Sequence, residues 1–275
     1  MILDAPELES LEGVDALVTG ASRGLGFGIA RAYAAVGSRV WLVAEVEDEL
    51  RAAAEEIREQ GGRVETRVVD LADRGQRSAL ADELSAAPRF QVLVNNAAIL
   101  ERQAVVDLEA EHWDRTLAVN LTAPVLLTRD LTPALKRDGG SIINVSSRAG
   151  VLGFSHQAAY CASKFGMEAF TRCLAPELDG TRVSVNTVTP GLRIKPTSLT
   201  NSEAADADPA DRNAWNDPIE LAPAFRFLAG LRGEVRGFRF DALTLSRALA
   251  EIGVAGALER IHTLAEHVPS EYEVT

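Results

Sequence analysis

The chain has 275 residues, 47% of them apolar and 25% charged, with a formal net charge of -12. That is the composition of a globular protein long enough for a sizeable core. Its acidity speaks against a nucleic-acid backbone or an anionic bilayer as partner, because both select a basic face.

The N-terminal run "MILDAPELESLEG" is acidic and has no apolar core of signal-peptide length. No apolar run reaches the length of a bilayer span, so a reduced, cytoplasmic protein is expected. Short apolar or β-branched runs follow at Ala16-Leu17-Val18, Val40-Trp41-Leu42-Val43, Val68-Val69, Val92-Leu93-Val94, Ile142-Ile143-Asn144-Val145 and Val183-Ser184-Val185. Helical spacing separates them: Ile29, Tyr33 and Val36 recur at i, i+4 and i+7, as do Leu50, Ala54 and Ile57. Buried strands alternating with helices predict an α/β doubly wound, Rossmann-like fold with a mostly parallel, seven-stranded sheet. Leu192 to Pro218 is polar and reads as a long loop or lid. Ile219 to Leu228 reads as a helix, Phe238-Arg239-Phe240 as the last strand, and Leu243 to Ala265 as a helical tail. One domain over 1–275 is expected, with the lid at about 192–218 and the tail at about 243–275.

The first strand runs into "LVTGASRGLGFGIA", where Gly20, Gly24 and Gly26 precede a helix. Glycines there let the backbone turn sharply and approach a pyrophosphate, and the helix N-terminus supplies N–H groups and a positive dipole end. The alternative is an ordinary tight turn between strand and helix; the strand–turn–helix setting favours a dinucleotide. Past the second strand stands Glu45, at the distance expected of an acid that binds a ribose diol. Arg23, inside the glycine turn, is placed for a 2′-phosphate instead. Glu45 would repel that phosphate, so NAD is preferred over NADP as the expected cofactor.

In "AAYCASKFGM", Tyr160 and Lys164 lie at i and i+4 and share a helix face. A phenol with an unperturbed pKa near ~10 is a poor acid–base catalyst at neutral pH. A neighbouring ammonium, joined by an oxidised nicotinamide, favours tyrosinate and is expected to lower that pKa. The flanking Ala158, Ala159, Ala162 and Ser163 leave room for ligands. Cys161 and Cys173 on one helix would stand about 18 Å apart, too far to bridge. The four histidines show no metal-ligand spacing, so no metal is expected. Among them His156 stands four residues before Tyr160, at the edge of a substrate pocket or on an exposed loop.

Taken in order, Thr19-Gly20-x-x-x-Gly24-x-Gly26, Asp70, Asn95-Asn96-Ala97-Ala98, Asn120, Ser147, Tyr160-x-x-x-Lys164 and Pro190-Gly191 resemble the short-chain dehydrogenase/reductase family from Val14 to about Ala242, with a looser likeness to its gluconate 5-dehydrogenases. The resemblance implies an NAD(P)-dependent oxidoreductase moving a hydride between nicotinamide and a secondary alcohol or ketone, a sugar acid or polyol among them. It gives Tyr160 as general acid and base, Lys164 as its partner and a ribose ligand, Ser147 rather than Ser146 to steady the reacting oxygen, and Asn120 at a helix kink holding a water. It puts Gly20, Ser22, Arg23, Gly24, Leu25, Gly26, Glu45, Asp70, Leu71, Asn96, Ala97, Ala98, Tyr160, Lys164, Pro190, Gly191 and Ile194 on the cofactor, Asp70 against the adenine. Asn95 would support the sheet there. Homodimers or homotetramers built through the tyrosine helix are implied too, with Phe165, Met167, Phe170 and Leu174 as surplus apolar surface. Three departures stand out: Ala98 where the family has glycine, "PGLRIKPTSLT" after the sixth strand, and "RFDALTLS" in place of Asp-Gly-Gly. In the second, Ile194 and Thr197, or else Arg193 and Lys195, would make the cofactor contacts. The rival expectation is a non-catalytic dinucleotide sensor or scaffold on the same fold; retention of both Tyr160 and Lys164 speaks for the enzyme.

Overall fold

A computed structural model describes residues 10–192, 194, 206–208, 215–233 and 235–266. Seven parallel strands form its sheet: β1 (Asp15–Thr19), β2 (Arg39–Ala44), β3 (Arg63–Val68), β4 (Phe90–Asn95), β5 (Gly140–Val145), β6 (Val183–Thr189) and β7 (Arg236–Asp241). Their order is β3-β2-β1-β4-β5-β6-β7, the doubly wound arrangement expected. A two-residue β8 (Ala265–Glu266) adds itself antiparallel to β7.

Apolar runs in the central strands are continuous because both faces are covered. Leu17, Trp41, Leu93, Ile142 and Val185 face one layer, built with α3 (Arg74–Ser85) and α5 (Ala123–Asp138). Val18, Leu42, Val94, Ile143 and Val188 face the other, with α1 (Gly24–Ala34), α2 (Glu47–Glu59) and α7 (Ala222–Gly230). Tyr33 is fully buried in α1, where its hydroxyl donates to the Phe225 carbonyl at 3.0 Å. Strand order reverses between β1 and β4, so a crevice opens beyond their C-terminal ends.

Three local features aim residues at that crevice. α4 (Ala110–Leu117) continues through a π-helical turn, Ala118–Thr122, into α5, and Asn120 lies in that turn. β5 runs into a 3-10 turn, Arg148–Gly150, which the Ser147 side chain caps by accepting from the Ala149 N–H at 3.2 Å. α6 (Ala158–Glu177) then carries Tyr160 and Lys164.

The tail folds as α8 (Ala242–Glu259) and α9 (Ile261–Leu264). Asp241 caps α8 by accepting from the Thr244 N–H at 2.8 Å. Gly253 breaks the helical path with φ 67° and ψ 179°. The helix expected to run to Ala265 stops one residue earlier, because Ala265 pairs with Phe240 in the sheet. Most of the expected lid, with Arg193, Lys195 and Thr197, lies outside the described residues.

Candidate active site

A groove of about 320 Å³ fills the crevice at the strand-order reversal. Twelve expected cofactor residues line it: Gly20, Ser22, Arg23, Gly24, Leu25, Gly26, Glu45, Asp70, Leu71, Asn96, Ala97 and Ala98. Its floor is a backbone contact that only glycine permits. A Cβ on Gly26 would stand 2.1 Å from the Gly20 oxygen and 2.5 Å from Asn96 Nδ2. Gly20 adopts φ 64°, and a Cβ there would meet Ala97 Cα at 2.9 Å. Thr19 and Asn96 lock this arrangement. Thr19 Oγ1 accepts from the Asn96 and Ala97 N–H groups at 2.9 and 3.0 Å, and Asn96 Nδ2 donates to the Thr19 carbonyl at 2.8 Å. No side chain caps the N-terminus of α1, which leaves its first amides facing the groove. Bare amides over a glycine floor fit the diphosphate of a dinucleotide.

Charge at the far end of the groove is organised by Arg115, a residue outside the expected set. Its guanidinium donates to both Asp70 oxygens at 2.7 Å and to both Glu45 oxygens at 3.0 and 3.1 Å. Arg115 holds the Asp70 carboxyl below its usual pKa range, helped by the Ala72 N–H. Asp73, not Asp70, caps the following helix. Arg23 pairs with Glu49 at 2.7 Å, so in this state its charge is already engaged. Asn95 points inward and donates to Asn144 Oδ1 at 2.8 Å, the supporting position expected of it.

Ser147, Tyr160 and Lys164 gather beyond the C-terminal end of β5. Burial raises the Tyr160 phenol above its ordinary pKa, and a hydrogen bond from Ser147 offsets part of that rise. The expected lowering by Lys164 does not appear. The ammonium sits 5.6 Å from the tyrosine ring centroid and donates to the Val145 carbonyl at 2.7 Å. Burial brings Lys164 down to about 8, while Glu168 acts in the opposite sense. Desolvation outweighs the Ser147 hydrogen bond at Tyr160 and the attraction of Glu168 at Lys164.

Asn120 is buried, and its amide clamps the backbone of Ile99, accepting at 2.7 Å and donating at 2.9 Å, with a further bond to Ser163 Oγ at 3.2 Å. Ser146 turns away into a buried network with Glu168 and Arg239. Pro190 is half-buried and Gly191 exposed, with Gly191 at φ 70° packed so closely on Asp241 that a Cβ would meet its carboxylate at 2.3 Å. Ile194 packs partly buried against the core. None of these three lines the groove, and neither do Tyr160 and Lys164, which were also expected on the cofactor. His156 is exposed and in the left-handed region at φ 62°. Among the described residues no cluster of His, Cys, Asp or Glu is arranged to hold a metal, and no helix is long and apolar enough to cross a membrane. Cys161 and Cys173 are both free thiols.

Met167, expected on the surface, is buried at 1% exposure, because position 167 turns to the same side as Ser163 and Thr171. Sequence reasoning also passed over Glu168 and Arg239. Glu168 alone carried a visible signal, since it follows Lys164 by one turn.

Residues 15–208 match the model of the short chain dehydrogenase family. Trans-4-hydroxycyclohexanecarboxylate dehydrogenase of Sinomonas cyclohexanicum is 37% identical, over 78% of this chain and 85% of its own. Among solved structures, a Beutenbergia cavernae protein provisionally described as an NAD(P) dependent gluconate 5-dehydrogenase, with bound NADP, superposes with a TM-score of 0.74 at 33% identity, covering 85% of this chain and 96% of its own. A metagenomic short-chain oxidoreductase in complex with NADP gives 0.70 at 35% identity, covering 82% and 95%.

Proposed function

The chain belongs to the short chain dehydrogenase family, and we propose that it interconverts a secondary alcohol and a ketone with Tyr160 as the general acid and base. The observation that carries this reading is the convergence of Ser147, Tyr160 and Lys164, the last two on a helix that Asn120 links through Ser163 to Ile99 in the wall of the glycine-floored groove. Bound there, a nicotinamide dinucleotide supplies or accepts the hydride. The residues of the chain manage the proton. With its pKa raised by burial, Tyr160 is a neutral phenol at pH 7, the form that donates to a carbonyl oxygen as negative charge builds on it. Ser147 bonds the same oxygen and reduces the charge the phenol must meet. The Lys164 ammonium stabilises the tyrosinate left behind. In the reverse direction Tyr160 must first lose its proton, so alcohol oxidation needs a higher pH than ketone reduction.

The substrate class we propose is a secondary alcohol that also carries a carboxylate, or a polyol. Two similar proteins have names that specify such compounds, a hydroxycyclohexanecarboxylate and gluconate. For the cofactor we propose NAD(H). Glu45 faces the ribose end of the groove, and both arginines near it are already paired with carboxylates. The NADP bound by the two structural relatives is the observation on the other side.

Tyr160→Phe tests the mechanism, since it removes the proton and keeps the shape. Turnover on a panel of alcohols and ketones should fall at least about a hundredfold, the scale of acid–base catalysis, while NADH fluorescence still reports binding. Near-normal turnover in that variant would exclude Tyr160 as the catalyst. Cofactor binding by the wild type with no turnover on any panel member would favour the non-catalytic sensor.

A further inference from the structure

Behind the catalytic residues lies an ion pair that the proposed mechanism does not use. Glu168 and Arg239 have side chains only 2% exposed. Glu168 stands on α6 one turn after Lys164, and Arg239 stands on β7, in register with Thr187 of β6. The Glu168 carboxylate accepts from Ser146 Oγ, from an Arg239 N–H, and from Thr187 Oγ1 at 2.8 Å. Arg239 also donates to Ser146 Oγ at 3.2 Å and, through its other terminal nitrogen, to the backbone carbonyl of Ser147 at 3.1 Å. Gly150 makes room for the cluster: a Cβ there would meet Ser146 Oγ at 2.7 Å and Glu168 Cγ at 3.0 Å.

Such a pair is a poor device for stability alone. Desolvating two charges consumes most of their attraction, and an apolar pair of similar volume commonly does as well. Its connections are specific in a way that mere stability does not require. One end is the carbonyl of Ser147, and the other is the helix turn adjoining Lys164. We propose that Glu168 and Arg239 are positioning residues, which tie the end of β5 to α6 and so hold the Ser147 hydroxyl and the Lys164 ammonium in register with Tyr160.

The inference rests on the assignment of Ser147, Tyr160 and Lys164 given above. Glu168 has a second effect, since its charge raises the pKa of Lys164 against burial. Other charged groups on elements packed against α6 are engaged or remote: on β7, Arg236 pairs with Asp179 and Asp241 caps α8. Arg148 on the 3-10 turn lies over the Phe154 ring. On α4, His112 contacts Glu101, Arg115 holds Asp70 and Glu45, and Glu111 and Asp114 are exposed. Neutralising Glu168 therefore removes the anion that raises the pKa of Lys164. Lys164 then loses its proton more readily, tyrosinate loses support, and alcohol oxidation begins at a higher pH.

The test compares Glu168→Gln, Arg239→Lys and the double variant Glu168→Gln/Arg239→Met with the wild type and with Tyr160→Phe. Readouts are melting temperature, NADH and NADPH fluorescence binding, kcat and KM separately, and the pH profile of oxidation. Cofactor affinity should stay within about threefold, and kcat of Glu168→Gln and of the double variant should fall about tenfold to a hundredfold, the cost of displacing reacting groups by a fraction of an ångström or more. The oxidation limb of Glu168→Gln should move to higher pH. Arg239→Lys keeps the charge but loses the fork, and should retain more activity than the double variant. Folded Glu168→Gln with wild-type kcat and an unmoved pH limb overturns the proposal, as does a loss confined to melting temperature or cofactor affinity. If Glu168→Gln does not fold, Ser146→Ala removes one contact of the pair; it should lower kcat about threefold or more at unchanged melting temperature, and unchanged kcat overturns the proposal. Should Tyr160→Phe keep full turnover, the site assignment falls and the inference falls with it. Loss in Tyr160→Phe without loss in the pair variants sinks the inference alone.

Discussion

Lys164 is the residue most at odds with its surroundings. It is 2% exposed, and burial draws its pKa from 10.5 to about 8. That difference corresponds to a cost on the order of 3 kcal/mol carried by the folded state at neutral pH. Its sign follows from proton counting. Between about 8 and 10.5 the folded chain has released this proton and the unfolded chain still holds it, so this residue's contribution to stability rises with pH across that window. Lys164→Met removes the buried charge at the expense of one hydrogen bond to Val145. At pH 7 the variant should melt no lower than the wild type, by calorimetry, while turnover falls at least about a hundredfold. A melting temperature several degrees lower would show the lysine to be structural. The i, i+4 spacing made Tyr160 and Lys164 legible in the sequence. The direction of the tyrosine shift was not, because it depends on how deeply the fold buries the phenol and on where the ammonium turns.

At the scale of elements, the glycine turn was the most readable, since Gly20, Gly24 and Gly26 meet a backbone demand that has few other solutions. The bridge closing the groove's other end was not readable. Arg115 on α4 meets Glu45 after β2 and Asp70 after β3, contacts separated by 70 and 45 residues in the chain. No local pattern announces such a pair. Its presence changes the expectation for cofactor choice, because Glu45 does more than repel a phosphate: it also occupies one side of the arginine that could bind one. Glu45→Ala should therefore act twice in the same direction. Fluorescence titration should show wild type binding NADH more tightly than NADPH, and the variant should narrow that gap by about fivefold, the scale of one charge-assisted contact. A wild-type preference of tenfold or more for NADPH would overturn the NAD assignment. The tyrosine helix tells a similar story. Its apolar residues were visible, but only the folded helix sorts Met167 into the core and leaves Ala162, Phe165, Ala169 and Cys173 along an exposed face. That face is the proposed subunit contact, and light scattering at micromolar concentration should give a multiple of 29.5 kDa; the monomer mass itself would refute it.

For the whole molecule, the decisive segment is the tail. Its apolar stripe at Leu245, Leu249, Ile252, Leu258, Ile261 and Leu264 was plain in the sequence, and the expectation drawn from it was that the tail packs at or near an oligomer contact. Much of it goes into the chain's own core instead. Leu245, Ala257 and Ile261 join the cluster of Val18, Ile29 and Phe225, and Leu249, Leu258 and Leu264 pack against it. His262 meets the Phe238 ring edge-on at 5.1 Å. β8 then covers part of the β7 edge, which would otherwise present unpaired backbone groups. The tail therefore completes the layer on one side of the sheet, and β7, the strand it protects, is the one that carries Arg239. Leu245→Ala, at a site with 0% exposure, should cost about 2–5 kcal/mol, or roughly 5–20 °C in melting temperature for a chain of this size. Deleting everything after Leu243 should go further, giving a protein that aggregates or melts far below the wild type before any effect on the chemistry can be isolated. A truncated protein with unchanged mass, melting temperature and turnover would mean that the sheet holds its own edge and that the stripe is dispensable. An intact melting temperature with a lower mass in solution would instead return the tail to the subunit contact.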